Sequence, residues 1–274
     1  MNFLKIIKYV KFFDYYLEYF AKRLSGKENM LPEKNGEFYI LEQIIKICPN
    51  EKMTFFDVGS NVGTYLERII NLSLKYKKIP QILSAEPTKE TFKVLKEKYG
   101  KDNINLLNNA IGKNEKMVPL YCLPDNNLSG QNSIFAQSFL NSNYEVQQKT
   151  IDQIVKENEI LSIDFLKLDI EGAECDAIEG AQESLKKQII KYIIMEYNRT
   201  WIASNGSIEK IFSYCKKYNY ELFRVKKKTL LSISYYHHIL DDFSYCNLLL
   251  VKKGEKKPAS VEREAIPYVI RKTN

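Results

Sequence analysis

Asp57 closes the apolar run FFDV and is followed at once by Gly59 and Gly63, with Ser60 and Asn61 between them. A strand that ends in such a turn and passes into a helix brings backbone N–H groups to the edge of a sheet. Glycine lets that backbone approach a ligand closely. Further on, Glu86 ends a second apolar run, and Pro87 stops it. An acid at that place can accept both hydroxyl protons of a ribose through its two carboxylate oxygens. Asp169 and Glu171 end a later apolar run, with Glu174 just beyond them, and Glu196 ends the next one. The histidines His237 and His238 are adjacent.

The spacing separates two kinds of nucleotide ligand. A nicotinamide dinucleotide would use the same acidic position, but its pyrophosphate favours GxGxxG, whereas this turn reads GxxxG with Asp57 before it. An acid beside the loop suits a ligand with an ammonium group better than a pyrophosphate. The amino-acid end of S-adenosylmethionine carries such a group. Methyl transfer from its sulfonium is an in-line displacement, which needs an acceptor held behind the methyl carbon and a base for its proton. Asp169 and Glu171 lie at the ligand edge expected of a parallel sheet and are the first candidates for that work. The same two acids with Glu196 are candidate ligands for a divalent cation such as Mg2+. A third reading makes Asp169 or Glu171 the cap of the helix that starts near Gly172. Glu174, further into that helix, reads as structural.

Such groups need a frame. From residue 53 onward short apolar runs alternate with helical patterns, and strands are expected at 54–58, 82–85, 104–107, 165–168, 193–196, 220–225 and 247–251. Helices fit between them at 65–74, 89–99, 174–187 and 208–218. This alternation predicts an α/β chain with a doubly wound, mainly parallel sheet. The interval between 107 and 165 is too long for one crossover and should hold extra structure, with short strands at 117–122 and 144–149. Thr150 and Gln153 form a capping-box pattern for a helix running to 158.

Residues 3–24 carry Phe3, Ile6, Ile7, Val10, Phe13, Leu17, Phe20 and Leu24 at helical spacing, which predicts an amphipathic helix. It is expected to pack on the main domain, to touch a membrane surface or to join two copies of the chain. Residues 26–36 read as a polar linker, and 254–274, with Pro258 and Pro267, as a loosely attached tail. The expected division is therefore an N-terminal helical extension at 1–35, a main domain at 36–253 and a tail at 254–274.

The five cysteines are scattered and form no CxxC pair, as expected of reduced thiols in a cytoplasmic protein, with peripheral attachment to the inner membrane face as the variant. A net charge of +7 over 274 residues is spread among acids, so no nucleic-acid partner is expected. No apolar run is long enough to span a bilayer.

Several segments together resemble the FkbM family of S-adenosylmethionine-dependent methyltransferases. They are FFDVGSNVGTY, SAEPTKETF, NNAIG, KTID, FLKLDIEGAE and IIMEYN, in the family's order across about residues 36–252. The resemblance implies a Rossmann-like, seven-stranded class I methyltransferase sheet with an insertion between strands 3 and 4. It also implies O-methylation of a sugar or polyketide hydroxyl, and a sugar acceptor, free or lipid-linked, for a cell-surface polysaccharide is the expectation here. Asp57, Gly59, Ser60, Asn61, Gly63, Glu86, Pro87, Asn109, Ala110 and Asp169 would then bind the cofactor. In the implied fold the connection between the last two strands lies at the cofactor edge, which makes His237 and His238 further candidates for the base. Two departures stand out. Where many relatives carry Gly-Ser-Ser this chain reads Ser129, Gly130, Gln131, Asn132, Ser133, and the N-terminal helix matches no family motif. Two readings from other classes are a nicotinamide-dependent oxidoreductase on a nucleotide sugar and a non-catalytic interaction module.

Overall fold

The computed structural model describes residues 30–100, 104–123, 131–137 and 140–263, with Tyr16, Leu17, Tyr19, Lys22 and Lys27 before them. Most of the expected N-terminal helix lies outside the described residues, as do Ser129 and Gly130. Of that helix, Tyr16, Leu17, Tyr19 and Lys22 are helical.

Two short helices, α1 (Pro32–Asn35) and α2 (Glu37–Ile47), lead into β1 (Lys52–Val58). The chain then alternates through α3 (Thr64–Lys75), β2 (Ile79–Ala85), α4 (Lys89–Tyr99) and β3 (Ile104–Leu107). After an excursion it resumes with β7 (Ile163–Leu168), α6 (Glu174–Glu179), α7 (Gln182–Lys186), β8 (Ile190–Tyr197), α8 (Ile208–Tyr218) and β9 (Tyr220–Val225). It closes with β10 (Thr229–Ile233), β11 (Cys246–Lys252) and β12 (Ser260–Arg263). The main sheet runs β12-β10-β9-β11-β8-β7-β1-β2-β3. Its centre, β8-β7-β1-β2-β3, is parallel, and β11 runs antiparallel to both β8 and β9.

The central strands are buried on both faces, which is why β7, IDFLKL, is apolar at four positions, with Asp164 and Lys167 as its buried charges. One face packs Ile151, Ile154, Ile178, Leu185, Trp201 and Ile211 against the strands, and the other packs Phe38, Leu41, Ile44, Leu66, Ile69 and Leu95. The aromatic pair Tyr65 and Phe165 stacks on the second face, with ring centroids 6.3 Å apart.

Three expectations are corrected. The sheet has nine strands where seven were expected, because β10 folds back along β9 as a hairpin and β12 pairs beside it. Residues 254–274 are not wholly a loose tail, since Ser260–Arg263 forms β12 and the Tyr192 hydroxyl donates to the Lys256 carbonyl at 2.7 Å. The single helix expected at 174–187 is two helices. Gly180 lies between them, where its backbone approaches the Gly112 carbonyl too closely for a side chain.

Between β3 and β7 stands a second, three-stranded sheet, β4-β6-β5, made of β4 (Ala110–Ile111), β5 (Lys116–Cys122) and β6 (Asn141–Lys149). Val118, Leu120, Cys122 and Val146 form its own small apolar cluster. Helix α5 (Ile151–Glu157) follows, with the Thr150 hydroxyl accepting from the Gln153 amide at 3.1 Å.

Candidate functional site

The parallel strands β1, β2, β7 and β8 all end at one edge, and a cavity of about 240 Å³ opens there. Gly59, Asn61, Glu86, Pro87, Asn109, Ala110, Asp169, Glu171 and Glu196 all line it. Met30, Thr88, Asn132, Ile134 and Tyr245 complete much of the wall.

The turn after β1 is held by the strand beside it. The Gly59 and Ser60 amides donate to the Ala85 carbonyl at 2.9 and 3.1 Å. The Ser60 hydroxyl donates to the Asp57 carbonyl at 2.9 Å and accepts from Ser84 at 2.7 Å. Ser60 is thus a buried brace rather than a wall residue. Gly59 has φ +84°, and a Cβ there would stand 1.8 Å from the Asp169 carbonyl oxygen, so only glycine lets the β1 and β7 ends meet. Gly63 sits behind the cavity, where its carbonyl accepts from the Tyr99 hydroxyl at 3.2 Å.

Glu86 is fixed by backbone. The Asn61 amide donates to Oε2 at 2.9 Å and the Thr88 amide to Oε1 at 2.8 Å. Burial raises its pKa and these amide donors oppose the rise. A carboxylate has acceptor capacity beyond these two amides, and Glu86 lines the cavity. Asn108 Nδ2 donates to the carbonyls of Glu86 and Pro87 at 2.8 and 3.1 Å, setting the turn that presents them. Asn109 Nδ2 reaches the Gln147 carbonyl at 3.3 Å and ties this wall to the small sheet.

Asp57 lies beneath the cavity, fully buried, with neither carboxylate oxygen hydrogen-bonded to a described residue. The Lys167 ammonium stands 3.8 Å from Asp57 Oδ1, 2.9 Å from Asp169 Oδ2 and 4.9 Å from the Tyr65 ring centroid. Burial pulls the Lys167 ammonium down, but Asp169, Asp57 and Glu37 together overcome this and hold it above the ordinary lysine value. Burial raises Asp57, with Lys167 opposing. Glu37, at the start of α2, is buried and pushed up to about 7 by that burial, again opposed by Lys167. Lys167, Glu37 and Tyr65 are functional neighbours that the sequence reading passed over. The available signal was a lysine inside an otherwise apolar strand, FLKLD.

After β7 the chain turns sharply. Glu171 has φ +51° and Gly172 φ +106°, and a Cβ on Gly172 would meet the Thr200 carbonyl at 2.7 Å. Glu174 accepts from the amides of Ile170 and Gly172, both at 3.0 Å, so it braces the turn and is the residue that answers those amides, rather than Asp169 or Glu171. Burial pushes Glu171 and Glu174 up to about 8. At the end of β8, Asn198 Nδ2 donates to Glu196 Oε1 at 2.6 Å and Asn198 Oδ1 accepts from the Thr200 amide at 2.7 Å. Burial, with Asp169 and Glu171 beside it, raises Glu196 well above the usual carboxylate range.

Asp169, Glu171 and Glu196 share this wall, yet among the described residues no three histidine, cysteine or acidic side chains are placed to hold a metal ion. Lys167 engages Asp169 and Asn198 engages Glu196, so the expected metal set finds no support among the described residues. His237 and His238 do not line the cavity. The unforeseen strand β10 carries the chain away from the cavity edge, and the segment after it returns across one face. The two rings stand 4.1 Å apart, and His237 Nδ1 accepts from the Ile239 amide at 3.3 Å.

A model of the FkbM methyltransferase domain matches residues 57–222, more than half of the chain. No curated protein matches. Among solved structures the chain is similar to a methyltransferase FkbM from Methylobacillus flagellatus, at 17% identity and TM-score 0.47 over 73% of this chain and 44% of that one. It is also similar to a putative class I S-adenosylmethionine-dependent methyltransferase from Listeria monocytogenes, at 12% identity and TM-score 0.39 over 84% of this chain and 63% of that one. A third is a SAM-dependent methyltransferase from Agrobacterium tumefaciens, at 8% identity and TM-score 0.41 over 81% of this chain and 63% of that one. The chain thus spans less than half the length of the first of these. By the match over 57–222, which takes in the glycine turn, Glu86 and the Asp169–Glu174 turn, this chain belongs to the FkbM methyltransferase family.

Proposed function

We propose that the protein is an S-adenosylmethionine-dependent O-methyltransferase acting on a hydroxyl of a sugar or glycan precursor, in the making of a cell-surface polysaccharide. The observation that carries the donor assignment is Glu86, a carboxylate fixed by two backbone amides at the end of β2 and lining the cavity. Gly59 lets the β1 and β7 ends meet beside the cavity, and the buried Asp57 carboxylate, which makes no hydrogen bond among the described residues, adds acidic character near the ammonium end of such a ligand.

S-adenosylmethionine, when bound, supplies an electrophilic methyl group on a sulfonium. The chain's own residues do the rest. Glu86 orients the ribose, the 59–61 turn and the Asn109–Ala110 wall flank the nucleoside, and the acids at the ends of β7 and β8 face the remaining space. Lys167 holds Asp169 in place, and Ser133 Oγ, donating to the Glu171 carbonyl at 2.8 Å, pins the strained turn. Positioning of this kind supplies a large part of a methyl-transfer rate. A sugar hydroxyl, free or lipid-linked, is the acceptor that the family and this small polar wall favour, with the N-terminal helix as the segment that would meet a membrane or a second copy.

The test is thermal stability with S-adenosylmethionine, S-adenosylhomocysteine and NADH. Both adenosyl ligands should raise Tm at saturation, NADH should not, and Glu86→Ala should lose most of the effect. A Tm raised only by NADH would replace this reading with the oxidoreductase.

A further inference from the structure

The cavity holds more carboxylates than donor binding uses, and they are engaged differently. Glu86 answers the amides of Asn61 and Thr88, Glu174 answers those of Ile170 and Gly172, and Asp169 is paired to the Lys167 ammonium. Glu196 stands apart from these. It lines the cavity, and its Oε1 accepts from Asn198 Nδ2 at 2.6 Å. The Asn198 amide cannot turn, because its own oxygen accepts from the Thr200 amide and so fixes which end faces Glu196. The Trp201 indole donates to the Glu196 carbonyl at 3.0 Å, which locks the backbone beneath.

Resting on the donor reading above, we propose that Glu196 is the proton acceptor of the transfer and that Asn198 is its positioning residue. The acceptor oxygen forms its bond to the methyl carbon while the carbon–sulfur bond breaks, its electron pair going to sulfur. The hydroxyl proton goes to Glu196 Oε2. Asn198 keeps Oε1 occupied and leaves Oε2 to take the proton, and burial with the Asp169 charge beside it makes Glu196 a stronger base. Sequence spacing had offered Glu196 only as a metal ligand.

The assignment is testable without the acceptor. Sinefungin carries a protonated amine where the donor carries its sulfonium methyl, and S-adenosylhomocysteine carries nothing there. A carboxylate aimed at the methyl position should favour sinefungin by about tenfold or more in calorimetric Kd. Glu196→Gln should erase that preference and leave the S-adenosylhomocysteine Kd within about twofold. Glu196→Asp should restore part of it, and Asn198→Ala should reduce it at unchanged S-adenosylhomocysteine affinity. Full preference retained by Glu196→Gln would overturn the proposal while leaving the donor reading intact, as would loss of preference in Asp169→Asn alone. Failure of the unaltered protein to bind either ligand would overturn both.

Discussion

At the scale of single residues, the site is a problem of uneven charge. Lys167 is the cation set among Asp57, Asp169 and Glu37, and its side chain is only 5% exposed. Lys167→Met keeps the length and removes the compensation, leaving Asp57 buried with no cation beside it. Breaking a buried pair from one side costs about 3 kcal/mol. Urea unfolding at neutral pH should register that loss, and a change under about 1 kcal/mol would show that Lys167 is dispensable to the fold. Glu37 gives the opposite sign from an ordinary surface acid. Its folded pKa is raised from 4.5 to about 7, so the folded state binds its proton more tightly than the unfolded chain does. The stability it contributes is fully present below 4.5 and is lost as pH rises through about 7. Glu37→Gln should therefore flatten the fall in Tm between pH 5 and 8, and an unchanged slope would refute the assignment.

At the scale of elements, short side chains tie the second half of the fold together. Asp152 accepts from the amides of Glu183 and Ser184, both at 2.8 Å, and from the Ser184 hydroxyl at 2.6 Å, so α5 caps the first turn of α7. Asp152→Ala should cost about 1–2 kcal/mol, read by chemical unfolding, with Asp152→Asn recovering part of it. The KTID segment thus has a structural meaning that spacing alone did not give. Other elements were legible. Runs such as 104–107 and 220–225 became strands with the expected bounds, since each is a short, mostly apolar run set between helical patterns. The capping box at Thr150 was visible because its chemistry is local. What stayed hidden depends on contacts distant in sequence. Strand β10, TLLSI, carries no long apolar run and is a strand because β9 and β12 pair with it. The break at Gly180 is imposed by Gly112, far away in the chain. In the site, Glu86 and the glycine turn could be read from type and spacing, whereas the grouping of Lys167 with Asp57 and Glu37 needed the fold.

At the scale of the whole molecule, one sheet carries both cores, and that couples the site to global stability. Phe56, Leu166 and Ile193 face the cluster with Trp201, while Phe55, Phe165 and Ile194 face the cluster with α2 and α3. Because successive residues of the same strands serve opposite faces, neither cluster can lose its packing while the other keeps its strands. The tryptophan is single in the chain and fully buried, and it lies beside Tyr197 with ring centroids 4.9 Å apart on the face away from α2. Its fluorescence reports one face, whereas far-UV circular dichroism reports all elements. The two signals should follow one transition in urea, with the same midpoint and slope. Leu41→Ala, which opens a cavity under α2 on the opposite face, should lower both midpoints together by an amount worth about 3 kcal/mol. A tryptophan transition that stays in place while the circular dichroism midpoint falls would show two independent cores. In that case the edge of β1 and β7 that holds Gly59 and Asp169 would not be bound to the stability of the whole.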